Sequence, residues 1–361
     1  MTEKKYSIAY VDESPEELKQ YQELLQSSDL VTVNPVVPSP NVVNTLSELD
    51  ASLILVDYVL DERRKEGPRL EYRGGLLAAA ARQKYPETPI VLLTKPQFVS
   101  TELPQAEALA SAYDEKLVKS EITEDPSLVA RVLVNLIDGF EQLSKVEKKD
   151  WHGLLGALDA SDLEDDLLRS AQPPRPKEGE WRVPEAARWI RKVLVEYPGI
   201  LYDSLHAATA LGIEEAAFRA PLVQEYLGDA RYTGAFASDD EPRWWKMRLL
   251  VQANKALVDA EMAGDLVTKF SDAWKILTSE TLQASKCVYS GEEHADCVCF
   301  VLQSPVMRQY SLPIIPDNRP SVMDTARVSF KAVLEKDFDE RWVREDARRS
   351  LKRIRNGKGD S

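Results

Sequence analysis

At 361 residues the chain is longer than one hydrophobic core ordinarily organises, and two domains are expected. Its 60 acidic against 46 basic residues give a net charge of −14, which repels phosphate backbones and excludes nucleic acid as a general partner. Three cysteines crowded into one late segment make no disulfide framework, the N-terminus lacks a signal-peptide core, and no apolar run is long enough for a membrane span. A cytoplasmic protein without a membrane partner is expected.

In chain order, short apolar runs alternate with stretches of helical period over residues 1–145. Strands are expected at Tyr6 to Val11, Leu30 to Val37, Leu53 to Val56, Ile90 to Leu93 and Lys116 to Val118. Helices are expected near 15–27, 41–49, 74–85, 105–113 and 125–143. Five such units predict an α/β domain, a doubly wound five-stranded parallel sheet of flavodoxin-like form covered on both faces. Sheets of this kind bind ligands at the carboxyl ends of their strands.

Residues 146–180 read as a helical linker ending in a Pro-rich break, Gln172 to Pro176. A mainly α-helical second domain, 181–361, follows. Its helical period persists to about Ala284, a small β element is expected within Lys286 to Leu312, and a charged helix is expected from Phe338 to Arg355. The run HAATALGIEEAAF, with Ala208 and Gly212, has the outline of a helix-turn-helix. Its second helix would begin Glu214, Glu215 and carry Arg219 as its one cation, so a helical pair packed in a core is the better account. Cys287, His294, Cys297 and Cys299 offer zinc-type ligands, but paired C-x2-C knuckles are missing, and Cys297 and Cys299 alternate as buried strand residues do. The aromatic group Trp181, Trp189, Tyr197, Trp244 and Trp245 falls at helical spacings and reads as core, and His152 as a surface or capping residue. Arg341, Arg344, Arg348, Arg349, Lys352, Arg353 and Arg355 form the one basic patch, read as a solvated face or a dock for an acidic partner. No motif assigns this domain an activity.

Chemistry concentrates at the strand ends of the first domain. Asp12 and Glu13 follow the first strand, Asp57 the third, Thr94 the fourth and Lys119 the fifth. Carboxylates gathered at one end of a sheet repel one another unless a divalent cation lies between them, and Mg2+ suits a few carboxylates beside a phosphate. Asp57 is then a nucleophile, with Lys119 and the Thr94 hydroxyl placed to steady phosphoryl oxygens.

The segments YSIAYVDESPEEL, LILVDYVLDE, PIVLLTK and DEKLVKS resemble, in order and position, the four signature blocks of response-regulator receiver domains. The resemblance covers about the first 145 residues. It implies phosphoryl transfer from a histidine kinase to Asp57, with Mg2+ held by Asp12, Glu13, Asp57 and the carbonyl of Val59, Thr94 as the switch hydroxyl and Lys119 as the matching lysine. Three departures stand out. The connection YVLDERRKEGPRLEYRGG is long and carries Arg63, Arg64, Lys65, Arg69 and Arg73. Lys116 takes the place of the usual switch aromatic and Ser120 that of the usual proline. Lys95 follows Thr94 where a small residue is common. The leading expectation is a phosphoacceptor signalling protein, not an enzyme, whose second domain contacts a further signalling or effector protein, with a homodimer left open. A second reading is a phosphate sink without output, in a setting of two-component-type antiphage defence; a third is a cryptic enzyme in the second domain.

Overall fold

The computed structural model describes residues 5–39, 41–60, 74–95, 112–145, 155, 170–171, 173–174, 182–317, 319–335 and 338–356. The chain divides into two compact units, Met1–Leu154 with Pro174–Arg188, and Leu155–Pro173 with Trp189–Ser361.

The first unit is built on β1 (Tyr6–Val11), β2 (Val31–Val36), β3 (Leu53–Asp57), β4 (Ile90–Thr94) and β5 (Glu115–Val118), all parallel, in the order β2-β1-β3-β4-β5. β3 and β4 are buried at every position, as expected for central strands covered on both faces. The helices are α1 (Pro15–Gln26), α2 (Val42–Leu46), α3 (Gly74–Lys84), α4 (Lys119–Glu124) and α5 (Pro126–Lys145). α1 starts sharply because Ser14 accepts from the Glu17 amide, Pro15 supplies a helical φ, and Glu16 and Glu17 favour the positive end of the helix dipole. α5 turns Val129, Leu133, Leu136, Ile137 and Phe140 inward at helical spacing. The helix expected at 125–143 is thus preceded by a separate short one, α4, because Asp125 leaves helical geometry ahead of Pro126. Residues 105–111 of the helix expected at 105–113, and most of the basic connection, residues 61–73, lie outside the described residues; Ala112 and Tyr113 are described and are not helical.

The order β2-β1-β3 means that the chain winds outward from β1 in one direction and then in the other. Between the carboxyl ends of β1 and β3 this leaves the crevice in which doubly wound sheets place their ligands. In register, Val11 is opposite Val56 and Asp57 opposite Leu93, so Asp12, Asp57 and Thr94 emerge at one edge.

The described part of the second unit is helical first. Helix α6 (Val183–Trp189), where the division falls, runs on in π-helical form through Ile190–Val195. A two-stranded antiparallel ribbon, β6 (Leu201–Tyr202) with β7 (Trp244–Trp245), frames α7 (Ser204–Ala210), α8 (Glu215–Phe218) and α9 (Pro221–Tyr226). α10 (Lys246–Asp259) and α11 (Leu266–Thr278) follow. Phe218, Trp244, Phe270 and Trp274 make their core, with Phe218 edge-on to Trp244 at 4.8 Å. The helix-turn-helix outline proves to be packing: Ala207, Ala208, Leu211, Ile213 and Phe218 are all buried in this core. Gly212 turns the chain at φ +68°, and a side chain there would strike the carbonyl of Val267. Trp189, Trp244 and Trp245 are buried as expected and Tyr197 is half-buried; Trp181 and His152 lie outside the described residues.

The β element is a mixed four-stranded sheet, β10-β11-β8-β9, of β8 (Cys297–Cys299), β9 (Ser304–Val306), β10 (Ser311–Pro313) and β11 (Arg327–Ser329). It packs with α12 (Phe330–Glu335) and α13 (Arg348–Asn356). The long closing helix is corrected. Glu340–Trp342 and Glu345–Ala347 are single 3-10 turns, and only Arg348–Asn356 is α-helical. Asp339 binds the Arg341 amide and side chain, Trp342 donates to Asp317, and Ile314 bridges to Val343, so local partners take what a helix would have bonded.

Cys287, His294, Cys297 and Cys299 are not gathered into a metal site: no three of their ligand atoms lie within 4.8 Å of one another. Each thiol is engaged inside the fold. Cys297 donates to the Val306 carbonyl at 3.0 Å, Cys299 accepts from the amides of Leu302 and Ser329, and Cys287 from that of Met307.

Candidate functional site

Every residue singled out at the strand ends of the first unit is found at that edge of the sheet. Asp12 leaves β1 fully buried; Tyr10 donates to its Oδ2 and the Ser14 amide to its Oδ1 at 2.8 Å. Asp57, 3 % exposed, ends β3. Carboxylate oxygens of Asp12, Glu13 and Asp57 lie within 4.8 Å of one another, and among the described residues no other three acidic, histidine or cysteine side chains do so. Lys119, buried at the first position of α4, sends its Nζ to Asp57 Oδ1 at 2.8 Å, to Asp12 Oδ2 at 2.9 Å and to Glu17 Oε2. All three ammonium protons are thereby used. Thr94 is buried at the end of β4, and its hydroxyl makes a long 3.4 Å bond to the Lys95 carbonyl. Val59 is half-buried in the connection leaving β3.

The electrostatics follow from crowding like charges away from water. Burial pushes the Asp57 carboxyl up to about 6, against the pull of Lys119 and with the help of Asp12 and Glu17. Burial likewise raises Glu13 to about 7; a backbone hydrogen bond and Lys119 pull it down, while Asp12 and Asp57 push it up. Lys119 would be lowered by burial, but Asp57 and Asp12 outweigh this and hold it above the ordinary lysine range, so it stays charged. Glu13 Oε2 is sealed from solvent and has no hydrogen-bond partner. A buried carboxylate oxygen without a donor, facing two more carboxylates, is a donor set that suits a hard divalent cation.

Three participants escaped the reading of the sequence. Glu17, in the first turn of α1, grips both Lys119 and, at 3.1 Å, Lys95; these two cations outweigh its burial and lower its carboxyl. Lys95 is thus drawn to α1. Tyr10 is buried beneath Asp12 and its phenol is pushed far up, first by burial and then by that carboxylate, so it acts as a permanent donor. Gly74, at the start of α3, donates to the Tyr58 carbonyl at 3.0 Å, and a Cβ there would fall 2.0 Å from the Asp57 carbonyl oxygen. The double glycine after the basic run was the available signal for that close approach. Lys116, on β5 opposite Leu92, is half-buried, and burial lowers its ammonium.

Neither a family model nor a curated protein matches the chain. Solved structures do. The chain is similar to a response regulator receiver domain protein from Clostridium thermocellum, at 16 % identity and a TM-score of 0.29 over 36 % of this chain and 94 % of that one. It is similar to the chemotaxis response regulator CheY4 of Vibrio cholerae, at 18 % identity and a TM-score of 0.28 over 36 % and 98 %. A third is the response regulator TrrA of Thermotoga maritima in complex with Mg(2+)-BeF, at 19 % identity and a TM-score of 0.25 over 32 % and 86 %. The similarity is to response-regulator receiver domains, over about the first third of the chain and in fold.

Proposed function

We propose that the first unit accepts a phosphoryl group on Asp57 from the phosphohistidine of a histidine kinase, in a Mg2+-dependent reaction. The observation that carries this is the convergence of three buried carboxylates with Lys119 at the crevice of the sheet, one carboxylate oxygen being left without a partner. An Asp57 oxygen attacks phosphorus, the P–N bond to the donor imidazole breaks, and the imidazole leaves with the electron pair. Burial, which raises the Asp57 carboxyl, keeps the nucleophile weakly solvated, and Lys119 keeps it ionised and oriented. Lys119 then exchanges a carboxylate partner for a phosphoryl oxygen, and Thr94, whose existing bond is long, turns its hydroxyl to another. Asp12, Glu13, Asp57 and the Val59 carbonyl would hold Mg2+, which when bound neutralises the incoming phosphoryl oxygens.

Incubation with a phosphoramidate donor and Mg2+ is expected to add one phosphoryl group, mapped by mass spectrometry to Asp57, and Asp57→Asn to take up none. Undiminished labelling of that variant overturns the assignment.

One observation favours a second reading, a phosphate sink. Half-buried Lys116 cannot swing into an apolar pocket as a switch aromatic does, so coupling through β5 is weak and phosphate accepted at Asp57 drains without output. Hydrogen exchange that changes on phosphorylation near Asp57 and not in residues 189–356 would support the sink; changes throughout the second unit would exclude it.

A further inference from the structure

Within the second unit, α7, β8, β11 and the start of α10 line a cleft of about 790 Å3, a volume in the range of small-molecule sites. Most of its charges are spent on one another. Lys246 binds both oxygens of Asp324, at 2.7 and 2.8 Å, Tyr202 donates to the same carboxylate, and Arg308 pairs with Asp296. Three groups stand apart from this neutralisation.

The first is Arg327 on β11. Its Nε donates to Ser311 Oγ at 2.7 Å and its Nη2 to the carbonyls of Arg308 and Ser311, all neutral acceptors. Among the described residues it has no salt-bridge partner, and Nη1 has no hydrogen-bond partner. The guanidinium is therefore locked in place with one edge open and no carboxylate in direct contact, Asp296 being paired with Arg308 and acting on it only at longer range. The second is His206 on α7, whose Nδ1 lies 2.9 Å from both oxygens of Asp203. His206 outweighs burial and holds the Asp203 carboxyl low, so Asp203 is an acceptor and Nδ1 carries the proton. Nε2 is left without a partner, and the side chain is 18 % exposed. The third is Thr209, three residues on and so on the same helical face. It lines the cleft 1 % exposed, with its hydroxyl buried and unpartnered. An unsatisfied buried hydroxyl is costly unless something supplies its bond.

We propose that this cleft binds a small hydroxyl-bearing organic anion, with its phosphate or carboxylate on Arg327 and its hydroxyls on His206 and Thr209. The cleft is far larger than an inorganic anion needs, and its three open groups amount to one fixed cation and two uncommitted hydrogen-bonding groups. The inference is independent of the chemistry at Asp57.

The test is calorimetric titration of the full-length chain, in EDTA so that metal-dependent phosphate uptake in the first unit does not contribute. The two probes are adenosine 5′-monophosphate, a hydroxylated phosphate, and gluconate, a hydroxylated carboxylate. At least one is expected to bind saturably, and which one does so identifies the anion. Arg327→Gln should weaken that binding by about tenfold or more, as loss of a charge-assisted hydrogen bond does. Because Arg327 also braces β10, Thr209→Val supplies the second reading. It should raise the melting temperature of the free protein, by removing the unpaired hydroxyl, and yet bind the probe about threefold or more weakly. A purely structural threonine would not separate the two in this way. No saturable binding of either probe, or wild-type affinity in both variants, overturns the proposal.

Discussion

A carboxylate oxygen sealed from water with no donor, as in Glu13, is tolerated only where something else repays its desolvation. Without metal, Glu13 and Asp57 bind protons more tightly in the folded chain than in the unfolded one, since burial raises them to about 7 and about 6. Their stabilising contribution is then fully present below about pH 4 and lost as pH rises through 6 to 7. Urea unfolding in EDTA should therefore show the wild type losing on the order of 2 kcal/mol relative to Glu13→Gln between pH 5 and pH 8. Mg2+ should reverse that loss in the wild type and do so at higher concentration in the variant; parallel pH profiles for the two proteins would remove Glu13 from the site. Glu17 acts in the opposite direction on the chemistry, because it competes for Lys119 and adds negative charge beside the acceptor. Glu17→Gln is expected to speed phosphoryl uptake from a small donor by about threefold or more, measured by quenched-flow labelling. The order of residues made Asp12, Asp57 and Lys119 legible because each stands at or just after the end of an apolar strand. Glu17 was not, since nothing in PEEL says which glutamate of a first turn faces the sheet.

At the scale of elements, legibility tracked burial. β3 and β4 could be read directly because strands covered on both faces are uninterrupted apolar runs. The residues from Phe338 onward misled because alternating charge suits a solvated helix, whereas Val343, Ala347 and Leu351 are buried here by a chain that turns twice before it coils. The zinc-like spacing of Cys287, His294, Cys297 and Cys299 could not disclose that backbone partners satisfy each thiol. Glycines show how contact, not composition, decides a substitution. Gly74→Ala should destabilise the first unit by more than about 2 kcal/mol, or displace Asp57 and cut phosphoryl uptake, because backbone stands where the methyl would go. Gly228→Ala, with nothing within 4 Å, should stay within about 0.5 kcal/mol. Equal tolerance at both positions, judged by urea midpoints and labelling, would contradict the packing at α3.

For the whole molecule, two units with separate cores predict two calorimetric transitions, of which Mg2+ raises only the one belonging to the acidic crevice. A single transition shifted as a whole by Mg2+ would show instead that the cores melt together. The bond from Gly74 to the Tyr58 carbonyl bears on the molecule in another way. It holds Tyr58 and Gly74 together immediately behind the acceptor, so the positions of these two residues do not depend on the length of the chain that joins them. In general, doubling the length of a loop between fixed ends costs only about 0.6 kcal/mol in closure entropy. Lengthening the chain between Tyr58 and Gly74 is therefore expected to leave Asp57 in register, and undiminished phosphoryl labelling of a variant with residues inserted there would check it.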